Sequence, residues 1–118
     1  MFNSNSHSSE PEFLKSLLEP LLEDFQYWFE RSRSLLEDQE IGFLGQEQQT
    51  SLLHRVKQAQ QEVAAAQMLL KAMAGQTGLD TAILIPWHRL VTECWQVGMR
   101  FRMENSALNL QDSDISES

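Results

Sequence analysis

The sequence predicts an all-α protein, an up-down-up three-helix bundle with coiled-coil-like packing and disordered tails. Three observations carry that expectation. Apolar residues recur at helical spacing in three separate stretches. The middle stretch keeps a heptad step from Leu52 to Met73. Glycine-bearing breaks lie between the stretches. A chain of 118 residues makes one domain. Residues 9–104 are assigned to the bundle, 1–8 to a disordered N-terminal tail rich in Ser and Asn, and 105–118 to a disordered acidic C-terminal tail.

The first helix is announced by Ser9-Glu10-Pro11-Glu12. A serine with glutamate three positions later forms a capping box, each side chain bonding the other's free N–H. Leu14, Leu17, Leu18, Leu21, Leu22, Phe25, Trp28, Phe29, Leu35 and Leu36 then fall on one side out to about Glu37. Pro20 interrupts this run without shifting its phase. It is read as a kink on a flank away from the core; a break, with a new helix starting at Pro20, is the alternative. Ser32 lies inside the apolar arc, where a small side chain lets another helix come close.

Residues 38–45 hold Gly42 and Gly45 and should turn the chain, with Ile41, Phe43 and Leu44 covering one end of the bundle. The second helix is expected from about Gln46 to Ala74, with Gly75 as its stop. Leu52, Val56, Ala59, Val63, Ala66, Leu70 and Met73 form its core seam, and the two alanines imply close, near-antiparallel packing. Ala65, Met68, Leu69 and Ala72 widen the apolar surface beyond what two neighbours cover. They make a candidate interaction patch, for self-association or a protein partner.

Residues 75–85 form the longest connection. Leu79, Ala82, Ile83, Leu84 and Ile85 should fold back on the bundle through a short helical turn capped by Asp80. Pro86 opens the third helix, which fades near Glu104. Trp87, Leu90, Val91, Cys94, Trp95, Val97, Gly98 and Phe101 share its apolar arc, with Arg89, Glu93, Gln96 and Arg100 opposite.

Charge and composition narrow the function classes. The formal charge is -8, yet residues 13–104 carry only a mild acidic excess, because much of the surplus sits in the tails. No clustered basic face is offered to nucleic acid or to anionic lipid. The single cysteine, Cys94, allows no internal disulfide and fits a reducing cytosol. No apolar run reaches the roughly 20 residues that span a bilayer. The N-terminus lacks the basic start and apolar run of a secretory signal, so a cytoplasmic location is expected.

Reaction chemistry is not visible. His7, His54, His88 and Cys94 have no metal-ligand spacing, so no cofactor or metal is expected. Gly42–Gly45 and Gly75–Gly78 lack the pattern and lysine of a phosphate loop. Glu19, Glu23, Glu30 and Glu37 line the outer face of the first helix; their plain reading is a solvated surface, and their sharper one a dock for a basic partner. Trp28, Trp87, His88 and Trp95 form a candidate aromatic site. Its plain reading is a core seam, and its sharper one a slot for a flat ligand or pigment. The stretch 13–29 is amphipathic, but its acidic polar side disfavours a membrane surface.

Two blocks, Leu17-Leu18-Glu19-Pro20-Leu21-Leu22-Glu23-Asp24-Phe25-Gln26-Tyr27-Trp28-Phe29 and Ile85-Pro86-Trp87-His88-Arg89-Leu90-Val91-Thr92-Glu93-Cys94-Trp95, resemble a family of short cyanobacterial proteins with a domain of unknown function. The likeness spans about residues 13–104. It implies an intracellular cyanobacterial setting and brings no activity, cofactor or site residue with it. The expectation is a small non-enzymatic helical protein acting through protein–protein interaction. A carrier using the aromatic seam and a membrane-peripheral protein are the alternatives.

Overall fold

In a computed structural model of the chain, the described residues form three helices, α1 (Phe2–Asp38), α2 (Gly45–Ala72) and α3 (Leu84–Glu117), with a 3₁₀ turn at Thr81–Ile83 leading into α3. The structure describes the backbone of residues 2–72 and 80–117 and the side chains of 12–72 and 80–108. Among the described residues there is no strand. The all-α bundle expected from the sequence is what forms. The helical backbone of α1 and α3 extends past 9–104 at both ends. The Ser9 capping box, the tail segments 1–8 and 109–118, Met73 and the Gly75 stop all lie outside the described side chains.

α1 is one helix through Pro20, whose ring is exposed on a flank as the phase of the leucines requires. Its buried row is Leu18, Leu22, Phe25, Phe29 and Leu36. α2 lies antiparallel beside it. Gln26 Nε2 donates to the Gln60 carbonyl at 3.0 Å, and Lys57 pairs with Glu37 at 3.2 Å. Six of the seven expected heptad residues, Leu52 through Leu70, are buried, and Ala59 and Ala66 admit the close approach. Glu30 and Glu37 do more than solvate the surface. Arg33 bonds both of them, and Gln60 Nε2 donates to Glu30 at 3.0 Å. Those bonds hold the Glu30 carboxyl below its ordinary range, led by the one from Arg33.

The reversal between α1 and α2 takes six residues. Leu44 N–H donates to the Ile41 carbonyl at 3.0 Å, and Gly45, at φ +77, occupies the left-handed region that admits the chain into α2. Ile41 is buried, with Phe43 and Leu44 half-buried against the same core, so this end is covered as expected. The Arg100 guanidinium of α3 lies 4.2 Å from the Phe43 ring centroid.

α3 begins at Leu84, two residues before the expected Pro86, because the 3₁₀ turn runs straight into it. Asp80 caps that turn, its carboxylate accepting from Ala82 N–H at 3.0 Å. Ile83 and Leu84 pack on the core, whereas Ala82 and Ile85 point outward, contrary to expectation. A single helical turn can aim only part of its circumference at the bundle. α3 runs parallel to α1 and antiparallel to α2. Trp87 meets Phe25, with ring centroids 5.8 Å apart, while Arg55 pairs with Glu93 and Trp87 Nε1 donates to Glu62 at 3.0 Å. The Glu93 carboxyl is held below its ordinary value, chiefly by the Arg55 hydrogen bonds.

Candidate functional site

Trp28, Trp87, His88 and Trp95 do not form one site. Trp87 is buried against Phe25, its ring N–H satisfied by Glu62, and His88 is exposed. Trp28 and Trp95 are instead 39% and 51% exposed, which corrects the expectation of an all-aromatic core seam. The reason is rotational. Trp95 follows Cys94 by one residue, so on a helix it stands about 100° from the buried centre of α3. Trp28 is displaced likewise from Phe25 and Phe29 on α1.

The two exposed tryptophans line one open groove of about 260 Å³ between α1 and α3. Leu35 and Val91 are half-buried in its walls. Its floor holds Ser32, Cys94 and Gly98, and here the small Ser32 does let α3 come close. Arg31 and Arg102 stand at the groove as well. Arg31 donates to the Tyr27 hydroxyl at 3.0 Å and lies 5.9 Å from the Trp28 ring centroid. Among the described residues neither Arg31 nor Arg102 pairs with a carboxylate, whereas Arg33, Arg55 and Arg100 all do. An apolar, tryptophan-walled trough thus carries two cations without a carboxylate partner among the described residues, in a chain of formal charge -8.

Arg31 and Arg102 were not among the candidate site residues expected from the sequence. Arg31 follows Trp28 by three residues, and Arg102 follows Trp95 by seven, so each shares a helix edge with its tryptophan. That spacing was a usable signal. It is weak because every amphipathic helix places polar residues just beyond its apolar arc.

Cys94 offers no nucleophile. Burial pushes its thiol from the usual 9.0 up to about 11, against the opposing hydrogen bond with Ser32. At pH 7 about one thiol in 10,000 is ionised at such a value. Cys94 should therefore resist an aromatic disulfide reagent in the native protein and react stoichiometrically once urea exposes it; fast native reaction would contradict this placement. The unfolded thiol ionises first as pH rises past its ordinary value, so the fold loses stability from about pH 9 upward.

Ala65, Met68, Leu69 and Ala72 are exposed on α2, Met68 at 72%. Of these four, Met68 borders a depression of about 310 Å³ between α1 and α2, which Glu19, Glu23, Gln67 and Lys71 help to line. Among the described residues no three His, Cys, Asp or Glu side chains come together as a metal site would need, and no helix is long and apolar enough to cross a membrane.

The model of a family described as "Protein of unknown function (DUF2605)" matches residues 8–103. Neither a curated protein nor a solved structure matches the chain.

Proposed function

We propose that this chain, which belongs to that family of unknown function, is a non-enzymatic protein-binding module whose α1–α3 groove takes an amphipathic helix with acidic flanks. The observation that carries the reading is the pairing of half-exposed Trp28 and Trp95 with Arg31 and Arg102, which no carboxylate engages among the described residues. Tryptophan and arginine dominate binding energy at protein interfaces, because each brings a large rigid contact area and a directional polar group. A trough between two parallel helices suits a third, read by anchors at i, i+3 or i+4, and i+7. Resemblance to short cyanobacterial proteins supports a cyanobacterial cytoplasm as the setting.

A small-ligand carrier is the weaker reading. The groove is open, Trp87 has left it for the core, and about 260 Å³ falls below the usual range of ligand pockets.

Immobilised wild-type chain and three variants, Trp28→Glu, Trp95→Glu and Met68→Glu, test the proposal in lysate of the source cells. A protein retained by wild type and by Met68→Glu, and lost from both tryptophan variants, supports binding at the groove. Retention that survives both tryptophan changes overturns it, and loss with Met68→Glu alone moves the binding surface to α2. Unchanged far-ultraviolet helicity in each variant excludes misfolding.

A further inference from the structure

The edge of α1 that lines the groove with Trp28, Arg31 and Leu35, and runs on past it to Asp24 and Leu21, has a symmetry about Trp28 that says what sits there. Reading outward from Trp28 along this edge, Leu21 and Leu35 lie seven residues away on either side, with Asp24 and Arg31 four before and three after. The edge is therefore apolar, acidic, tryptophan, basic, apolar. Leu21, Asp24, Trp28 and Arg31 are exposed, and Leu35 is half-buried. Turned end for end about Trp28, the pattern keeps its apolar positions and exchanges its charges to within one residue, a rise of about 1.5 Å.

That is what a two-fold contact between identical helices needs, since every residue must suit its own mirror position. A different partner would need no such pattern. We propose that this edge of α1 binds the same edge of a second copy of this chain, antiparallel about Trp28. Each Asp24 then faces the Arg31 of the other copy, and each Leu21 faces its Leu35. The inference rests on the groove being a protein-binding surface, and it names the occupant.

The energetics divide by residue type. Trp28 and the leucines lose apolar surface to one another, and this supplies the affinity. Two copies of formal charge -8 repel at a distance, so the Asp24–Arg31 pairs contribute mainly register and direction. Arg31 is already oriented along this edge by Tyr27, which lowers the ordering cost of the pair.

Sedimentation velocity on the full chain over a concentration series reads the association directly. Wild type should pass from monomer to dimer. Asp24→Arg sets arginine against Arg31, and Arg31→Glu sets glutamate against Asp24, twice in each homodimer. Either change should weaken association by about tenfold or more. An equimolar mixture of the two variants should recover the wild-type constant to within about threefold, because the mixed dimer restores one native pair and forms one reversed pair. A wild type that stays monomeric, single variants that dimerise like wild type, or a mixture that does not recover would each overturn the proposal. Loss of the dimer in Met68→Glu alone would also overturn it, by placing the contact on α2. A monomeric wild type that still retains a lysate protein through Trp28 and Trp95 would overturn the second copy while leaving the groove reading intact.

Discussion

Replacing Phe29 by alanine should remove about 3–5 kcal/mol of stability, a large fraction of what a domain of this size has. Phe29 is fully buried and stacks on Phe25, with ring centroids 6.1 Å apart and planes inclined by 16°. It sits in the row that α1 turns toward α2, among Leu22, Val56 and Val63, which are likewise sealed from solvent. Deleting the ring forfeits its transfer free energy and leaves a cavity that long, regular helices cannot close without sliding. Urea denaturation followed by helicity, at one fixed protein concentration so that any association is held constant, should show a sharply lower midpoint with a similar slope. A midpoint unchanged from wild type would mean that α1 and α2 do not pack through this row.

The second large effect is expected at Gln49, one of the few side chains that the fold uses as a clamp. Its Oε1 accepts from Ile41 N–H at 2.9 Å, and its Nε2 donates to the carbonyls of Leu36 at 2.8 Å and Gln39 at 2.6 Å. Those groups belong to the end of α1 and the turn that follows, where a helix runs out of internal partners. Gln49→Leu keeps the volume and strips all three bonds. It should cost about 2–3 kcal/mol, since part-buried backbone groups lose their partners and water replaces them incompletely. Gln49→Glu gives a sharper result. An ionised carboxylate can still accept from Ile41 but cannot donate to either carbonyl, so the variant should be destabilised at neutral pH. It should recover partly as the pH falls toward the ordinary glutamate value, because a carboxylate set against two carbonyl oxygens in the fold takes up its proton at higher pH than in the unfolded chain. Equal stability of wild type and Gln49→Leu in thermal melts would show that the clamp is incidental.

Neither Gln49 nor the groove arginines could be ranked from the sequence, and the reason is the same for both. Gln49 stands among Gln46, Gln48 and Thr50 in a polar run with nothing to single it out. Its role depends on a turn that brings residues 36–41 back within reach, and no local pattern encodes that return. Arg31 and Arg102 look like ordinary polar-face residues until α1 and α3 are laid side by side. The candidate patch at Ala65, Met68, Leu69 and Ala72 shows the opposite case. Its exposure was legible, because α2 carries more apolar surface than its neighbours can cover.

What the sequence determined by itself was the set of helices, the reversal at Gly42–Gly45, the Asp80 cap and the buried seam from Leu52 to Leu70. Each of these follows from periodicity or from backbone chemistry within a few residues of its cause. Only the tertiary structure decided which tryptophan is core and which is surface. Hydrophobic periodicity fixes the centre of an apolar arc, but a residue on its edge is buried only where a neighbouring helix lies on that side. α3 turns one flank to α2 through Glu93 and Arg55, so the opposite flank, with Trp95, stays open beside Trp28.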